Sequence, residues 1–239
     1  MKEENKTLLE TNSSEKDLGR LQLRVIKKPS IKLQCTVKTI KAEETYEWLL
    51  KKHYAKRIPS ISYAFGLYVN DILEGVCTFG LPPNPNLCVG VCGEEFRHKV
   101  VELNRLCINE NMENNVASFF VAKCLKMIEP PKIIISYADT SMHHIGYIYQ
   151  ATNFIYTGLS AKRTDPDHGT NNMHNRHSFV GGLPQKERPR KHRYVYFIGN
   201  KKQRKEMLGA LNYKIEPYPK GANQRYECSY TPNVQQTLF

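Results

Sequence analysis

Two neighbouring segments fix most of what this chain can fold into. Residues 114–131, NNVASFFVAKCLKMIEPP, carry apolar side chains nearly all round a helical period, and the prolines stop the helix. Residues 132–136, KIIIS, follow at once as a short continuous apolar run, the pattern of a central strand. A buried helix leading into a buried strand calls for a layered α/β or α+β architecture. The remaining segments extend the same order. Residues 21–28 and 33–40 are expected as strands, and 41–54, KAEETYEWLLKKHY, as a helix with acidic residues in its first turn. Residues 62–81 contain two apolar runs about VND and predict a hairpin. PPNPN at 82–86 predicts a loop. VVELNRLCI at 100–108 predicts a strand, HHIGYIYQATN a short helix, and FIYTG the start of another strand. After a loop rich in Gly, Pro, Asn, His and cations, RYVYFIG predicts a strand, NKKQRKEMLGALN a cationic helix, and YKIEPYPKG a closing extended piece.

The chemistry gathers where that central strand ends. Residues 136–158, SYADTSMHHIGYIYQATNFIYTG, place Asp139 beyond the strand and His143 and His144 just after it. Ligands of open α/β sheets lie at the carboxyl ends of strands. A carboxylate near two imidazoles can serve as a base pair, a metal site or a proton relay. The simpler alternative is that Asp139 caps the helix that follows. A second group, KKHYAKRIPS, offers His53, Tyr54 and Arg57 at a helix end. A third, ELNRLCI, puts charges inside a strand, where they need partners. Strand alternation assigns Glu102, Asn104 and Leu106 to one face and Leu103, Arg105 and Cys107 to the other.

Charge narrows the class of partner. The formal net charge is +12 and it is uneven: residues 160–239 hold 15 Lys and Arg against 6 Asp and Glu. A basic C-terminal third suits a polyanion, most simply nucleic acid. The histidines at 168, 174, 177 and 192 then read as solvated, phosphate-facing side chains. Seven scattered cysteines fit free thiols in a reducing cytoplasm; Cys77, Cys107 and Cys124 read as small buried hydrophobes. Cys88 and Cys92 are half of a metal site with no second pair to complete it. No apolar run reaches the roughly 18 residues that span a membrane. The expected organisation is a tail over 1–19, one domain over 20–220 with a basic nucleic-acid segment at 160–220, and a C-terminal tail over 221–239.

Together KKHYAKRIPS, VELNRLCI, SYADTSMHHIGYIYQATNFIYTG and RKHRYVYFIGNKKQRKEML…PYPKG resemble the Mom family of phage DNA-modification proteins, over roughly residues 45–220. The resemblance implies an acetyltransferase-like (GNAT-like) fold: a mixed central sheet flanked by helices, with a basic C-terminal extension. It implies a transferase that converts adenine in double-stranded DNA to an N6-carbamoylmethyl derivative and so protects DNA from restriction endonucleases. The catalytic set it implies is Asp139, His144, Tyr149, Ser136 and His53, with Tyr54, Arg57, Arg105 and Tyr137 binding substrate. Arg163, Arg176, Arg188, Arg190, Lys191 and Arg193 are the expected nucleic-acid contacts. Iron is associated with the family, and His53, Asp139 and Tyr54 are the candidate ligands. Where GNAT enzymes hold acyl-CoA with a glycine-rich loop, this chain reads NENMENNVASFF, without glycine. An acyl-CoA donor is therefore not expected. Because a carbamoylmethyl amine has the same atoms as a glycyl amide, an activated glycine such as glycyl-tRNA, followed by rearrangement, is the expected donor, with tRNA a second partner. Two other classes are compatible with the residues: an acyltransferase acting on RNA or a small amine, and a non-catalytic basic DNA-binding protein.

Overall fold

The computed structural model describes residues 35–167, 184–222, 224 and 226–232. The expected tail at 1–19, the strand at 21–28, Arg176 and His168, His174 and His177 lie outside these residues. A seven-stranded mixed sheet forms the centre, in the order β1-β2-β3-β4-β5-β9-β6. β1 (Cys35–Thr39), β2 (Tyr63–Val69), β3 (Ile72–Gly80) and β4 (Val100–Ile108) pair antiparallel in succession. β5 (Lys132–Asp139) lies parallel to β4. β9 (Lys191–Ile198) enters antiparallel between β5 and β6 (Ile155–Leu159). This is the mixed, helix-flanked sheet expected from the sequence.

Local sequence explains most elements. Asn70 and Asp71 both take positive φ, the geometry of a tight two-residue hairpin between β2 and β3. The helix α2 (Val116–Met127) buries Val116, Phe120, Val121, Cys124 and Leu125 against one sheet face. The short α3 (Tyr147–Ala151) joins it there. The other face is covered by two helices and an irregular helical stretch. These are α1 (Pro85–Cys92), α4 (Lys201–Gly209) and the stretch around Trp48 and Leu49. β5 serves both cores in alternation: Ile134 and Ala138 face α2, while Ile133 and Ile135 face α1 and α4.

Three elements depart from expectation. PPNPN does not simply break the chain: Asn84 caps α1 through the Asn86 amide, with Pro85 in the first turn. Cys88 and Cys92 therefore share a helix, and Cys92 is buried with its thiol toward the Met207 carbonyl at 3.5 Å, so that pair is core, not ligand. The expected helix at 41–54 winds through a 3₁₀ turn (Ala42–Thr45) into a π-helix (Trp48–Lys52). The expected loop after β6 contains an exposed hairpin, β7 (Arg163–Pro166) with β8 (Gln185–Arg188).

A candidate active site where two strands part

β4 and β5 are paired only from Val100–Leu103 against Ile133–Ser136. Beyond that point β4 follows β3 and β5 follows β9, so the two parallel strands diverge. The divergence coincides with a β-bulge in β4. Thr78 faces Arg105 while Phe79 faces Leu103, leaving Asn104 as the extra residue. Asn104 is held there by the Thr78 hydroxyl at 2.6 Å and by its own donation to the Ser60 carbonyl at 2.7 Å. The bulge reverses the alternation expected from the sequence. Val101 and Leu103 face the α2 core, but after the bulge Leu106 and Ile108 do so. Arg105 thereby joins Glu102 on the opposite face instead of opposing it.

Asp139 ends β5 and is almost fully buried. Its Oδ1 accepts from the Ser141 amide at 3.0 Å and hydroxyl at 2.6 Å, so it does cap the turn Thr140–Met142. Its Oδ2 pairs with Lys191 Nζ at 2.7 Å, from the residue directly across on β9. Burial pushes this carboxyl up, but the bonds from Lys191 and Ser141 and the Lys191 charge outweigh it and hold it below the usual range. His144, whose amide donates to the Asp139 carbonyl at 3.1 Å, is lowered chiefly by burial, against the pull of Asp139.

The π-helix delivers the second group. The His53 amide reaches back to the Trp48 carbonyl at 2.9 Å, and the wide turn throws His53 and Tyr54 over the diverging strands. His53 is buried, and its Nδ1 accepts the Ala55 amide at 3.0 Å, which leaves the proton on Nε2. Burial, then the charges of Arg105, His144 and Lys191, press its pKa down to about 3. Its ring stacks on Tyr54 with centroids 4.4 Å apart, and Tyr54 meets His144 edge-on at 5.9 Å. Burial and the Asp139 charge raise the Tyr54 phenol, partly offset by Arg105 and Arg57.

Ser136 and Tyr149 reach the gap from the α2 side. Ser136 is wholly buried and donates to the Leu103 carbonyl at 2.9 Å, across the last paired position of β4 and β5. Its proton is committed, so it supports the Tyr149 phenol to which it is hydrogen-bonded rather than acting as a nucleophile. Enclosure pushes the Tyr149 hydroxyl well up, so it is a proton donor at neutral pH. Tyr137 instead lies toward Tyr213 and Glu102, packed with the α1 and α4 core, and burial raises it too. Arg105 is lowered by burial and by Arg57; its Nε is buried without a partner, while Nη1 donates to the Asn104 carbonyl at 2.6 Å.

Glu102 is read from the sequence, with Arg105, as a strand charge that either forms a salt bridge or positions a substrate; a titrating role is not among those readings. Burial raises its carboxyl to about 7, against the pull of Arg105, Lys191 and Arg57. The charge was the available signal; its orientation depends on a bulge that no periodicity discloses.

The expected metal ligands do not fit iron. Asp139 has both oxygens engaged by Lys191 and Ser141, His53 has one nitrogen capped by Ala55 and the other protonated, and Tyr54 is held in its phenol form. Among the described residues no group of three His, Cys, Asp or Glu side chains could hold a metal ion.

The expected nucleic-acid contacts divide in two. Arg163 and Arg188 face each other directly across the exposed β7–β8 hairpin, and Arg188 makes a 3.8 Å contact to Asp165. The β9 side is turned inward. Arg190 donates to the Ser160 carbonyl at 2.6 Å; Arg193 binds the Thr157 hydroxyl and carbonyl at 2.9 and 2.8 Å and lies 3.4 Å over the Tyr213 ring; Lys191 holds Asp139. His192 pairs with the Tyr156 phenol at 2.8 Å.

The Mom protein family model matches residues 34–185 of this chain. The chain is similar to methylcarbamoylase mom of Escherichia phage Mu, 29% identical over 206 residues, covering 77% of this chain and 85% of that protein. Among solved structures, an acetyltransferase of Bacillus subtilis in complex with CoA matches with TM-score 0.41 and 15% identity, over 70% of this chain and 99% of that one. Naa50 of Arabidopsis thaliana, in complex with a bisubstrate analogue, matches with TM-score 0.42 and 11% identity, over 69% and 99%.

Proposed function

Because the chain belongs to the Mom protein family, we propose that it is a phage-type transferase that modifies the exocyclic amine of adenine in double-stranded DNA. The observation that carries this reading is the pair of opposed proton carriers at the parting of β4 and β5. Glu102 is poised near neutrality and the Tyr149 phenol is kept protonated. A transfer to an amine needs both: a base for the proton leaving nitrogen and an acid for the departing group. Glu102 takes the adenine N6 proton, and Tyr149, aligned by Ser136, returns one to the leaving group. Arg105 and Arg57 offer positive charge where an acyl oxygen develops negative charge. His53 stacks on Tyr54 and fixes its ring beside the base, which must leave the duplex stack to be reached.

DNA as partner is supported by the β7–β8 hairpin. Like charges directly opposed on a ribbon repel one another; a phosphate between Arg163 and Arg188 relieves this. The product we infer is the N6-carbamoylmethyl amine, which has the same atoms as a glycyl amide. That favours an activated glycine, borne by tRNA, as the donor over acetyl transfer, which lacks the second nitrogen. Transfer forms the N6-glycyl amide and releases the tRNA hydroxyl. A rearrangement in which the two nitrogens exchange carbons, N6 passing from the carbonyl to the methylene and the amine from the methylene to the carbonyl, gives the isomeric carbamoylmethyl amine. The α2 N-terminus supports this choice: it opens on Asn115 at φ 68, with no glycine near it.

Mass spectrometry of nucleosides from cells expressing the chain tests the reading. A new adenosine species in DNA is expected. Unchanged DNA with altered tRNA would favour an acyltransferase acting on RNA, and no change in either would leave a DNA-binding protein.

A further inference from the structure

The described residues of the C-terminal segment are built into the site. Lys52 is 2% exposed, and a buried ammonium needs partners for its protons. Glu110 accepts at 2.7 and 2.8 Å, and the carbonyls of Tyr230 and Cys228 accept at 3.1 and 3.3 Å. The Cys228 amide donates back to Glu110 at 3.2 Å. The Tyr230 phenol bonds to Glu47, and Lys51 lies 5.1 Å over its ring. Earlier in the segment, the Gln224 amide meets the His143 carbonyl at 3.4 Å. One attachment thus seizes the residue just before His53 and Tyr54, and the other the residue just before His144.

Tyr226 lies between these two attachments. Its ring is 5.7 Å from Tyr54 at 64°, and the residue is 38% exposed. It is the outermost ring of a run that continues inward through Tyr54 to buried His53. The segment lies beyond the residues that the family model matches.

We propose that this segment forms the outer wall of the base pocket, with Tyr226 as the ring on which an extruded adenine stacks and the Lys52–Glu110 pair as the latch that holds it. The proposal rests on the reading that adenine is drawn from the duplex. Stacking on an aromatic ring is insensitive to base identity, so Tyr226 supplies affinity and Tyr54 with Glu102 the reacting geometry.

The test is equilibrium binding of a duplex carrying one mismatched adenine, compared with the same duplex carrying an abasic site there. Wild type is expected to prefer the adenine duplex by about 5- to 150-fold, the range of one base–aromatic stack. Tyr226→Ala should lose most of that preference while binding the abasic duplex as before; Tyr226→Phe should keep it. Full preference in Tyr226→Ala, its loss in Tyr226→Phe, or none in wild type would each overturn the proposal. Adenine modification is scored separately from cellular DNA. If DNA stays unmodified while the binding preference follows the ring at 226, the enzymatic reading fails and the wall stands.

Discussion

Asp139 and Glu102 show how two carboxylates in one cluster are driven apart by their surroundings. Asp139 is paired and stays ionised; Glu102 is half-buried, facing cations at a distance, and titrates near neutrality. In Asp139→Asn the remaining oxygen still caps Ser141, and Lys191, 30% exposed, can turn to water. Losing the charged hydrogen bond costs about 2 kcal/mol, a fall in Tm of roughly 4–8 °C. Modified adenine should fall at least ~100-fold, the scale of a missing positioning or proton-transfer group, while salt-matched DNA binding persists. If Asp139 were only a cap, modification would remain near wild type. Glu102 makes a different prediction. Its folded pKa is raised, so its contribution to stability is complete below its ordinary value of 4.5 and is lost as pH rises through about 7. Glu102→Gln removes that penalty. The variant should be more stable than wild type at pH 8, by roughly 3 kcal/mol at most, with the gap closing toward pH 4.5. The wild-type rate should rise with pH through about 7 as the base ionises; in the variant it should be low and lack that limb.

Secondary-structure elements set these residues where they are, and they differ in how far the sequence discloses them. KIIIS, the Asn70–Asp71 hairpin and α2 follow from local period and turn chemistry, and all three are present. The bulge at Asn104 and the π-turn before His53 were not legible, because each is fixed by partners far along the chain. Ser60 and Thr78 hold Asn104, while Cys228 and Tyr230 hold Lys52. The charged β7–β8 hairpin lacks apolar alternation and so left no trace. The candidate cluster was legible as a set of residue types, Asp139, His144, His53, Tyr54 and Arg105, but not as an arrangement of contacts. The inward use of Arg193 and Lys191, for example, requires knowing that β9 lies beside both β5 and β6. Gly146, before α3, is the most exacting position in this region. It takes φ +79, and a Cβ there would lie 2.4 Å from the Tyr194 ring, whose hydroxyl donates to the Ile145 carbonyl at 2.5 Å. Gly146→Ala combines a left-handed backbone with an overpacked core. It should destabilise by roughly 2–5 kcal/mol, read as a Tm lower by about 5–15 °C. Tyr149 sits three residues on, so modification should drop even where the variant is still folded.

Over the whole molecule, a net charge of +12 concentrated in the C-terminal third suits a polyanion, but only some of its cations are free to meet phosphate. Lys162, Arg163, Lys186 and Arg188 are exposed at the hairpin. Changing these four to Ala should flatten the dependence of log affinity on log salt by up to about 3.6, or about 0.9 for each phosphate no longer neutralised. Arg193→Ala should leave the slope unchanged and lower Tm, since its guanidinium joins Thr157 to Tyr213. The order of strands has a consequence of its own. β9 follows β5 and β6 in the chain yet lies between them. Before it arrives, those two strands must stand about 9–10 Å apart, twice the usual spacing, as a socket with two open edges. A chain ending at Asp167 would have that socket but neither Lys191 nor Tyr194. A second chain beginning at residue 168 would bring both, along with Tyr226, as a plug. The strand order thus predicts that the molecule can be divided into two unequal parts whose open strand edges pair. Coexpressing the two parts should restore adenine modification that neither supports alone.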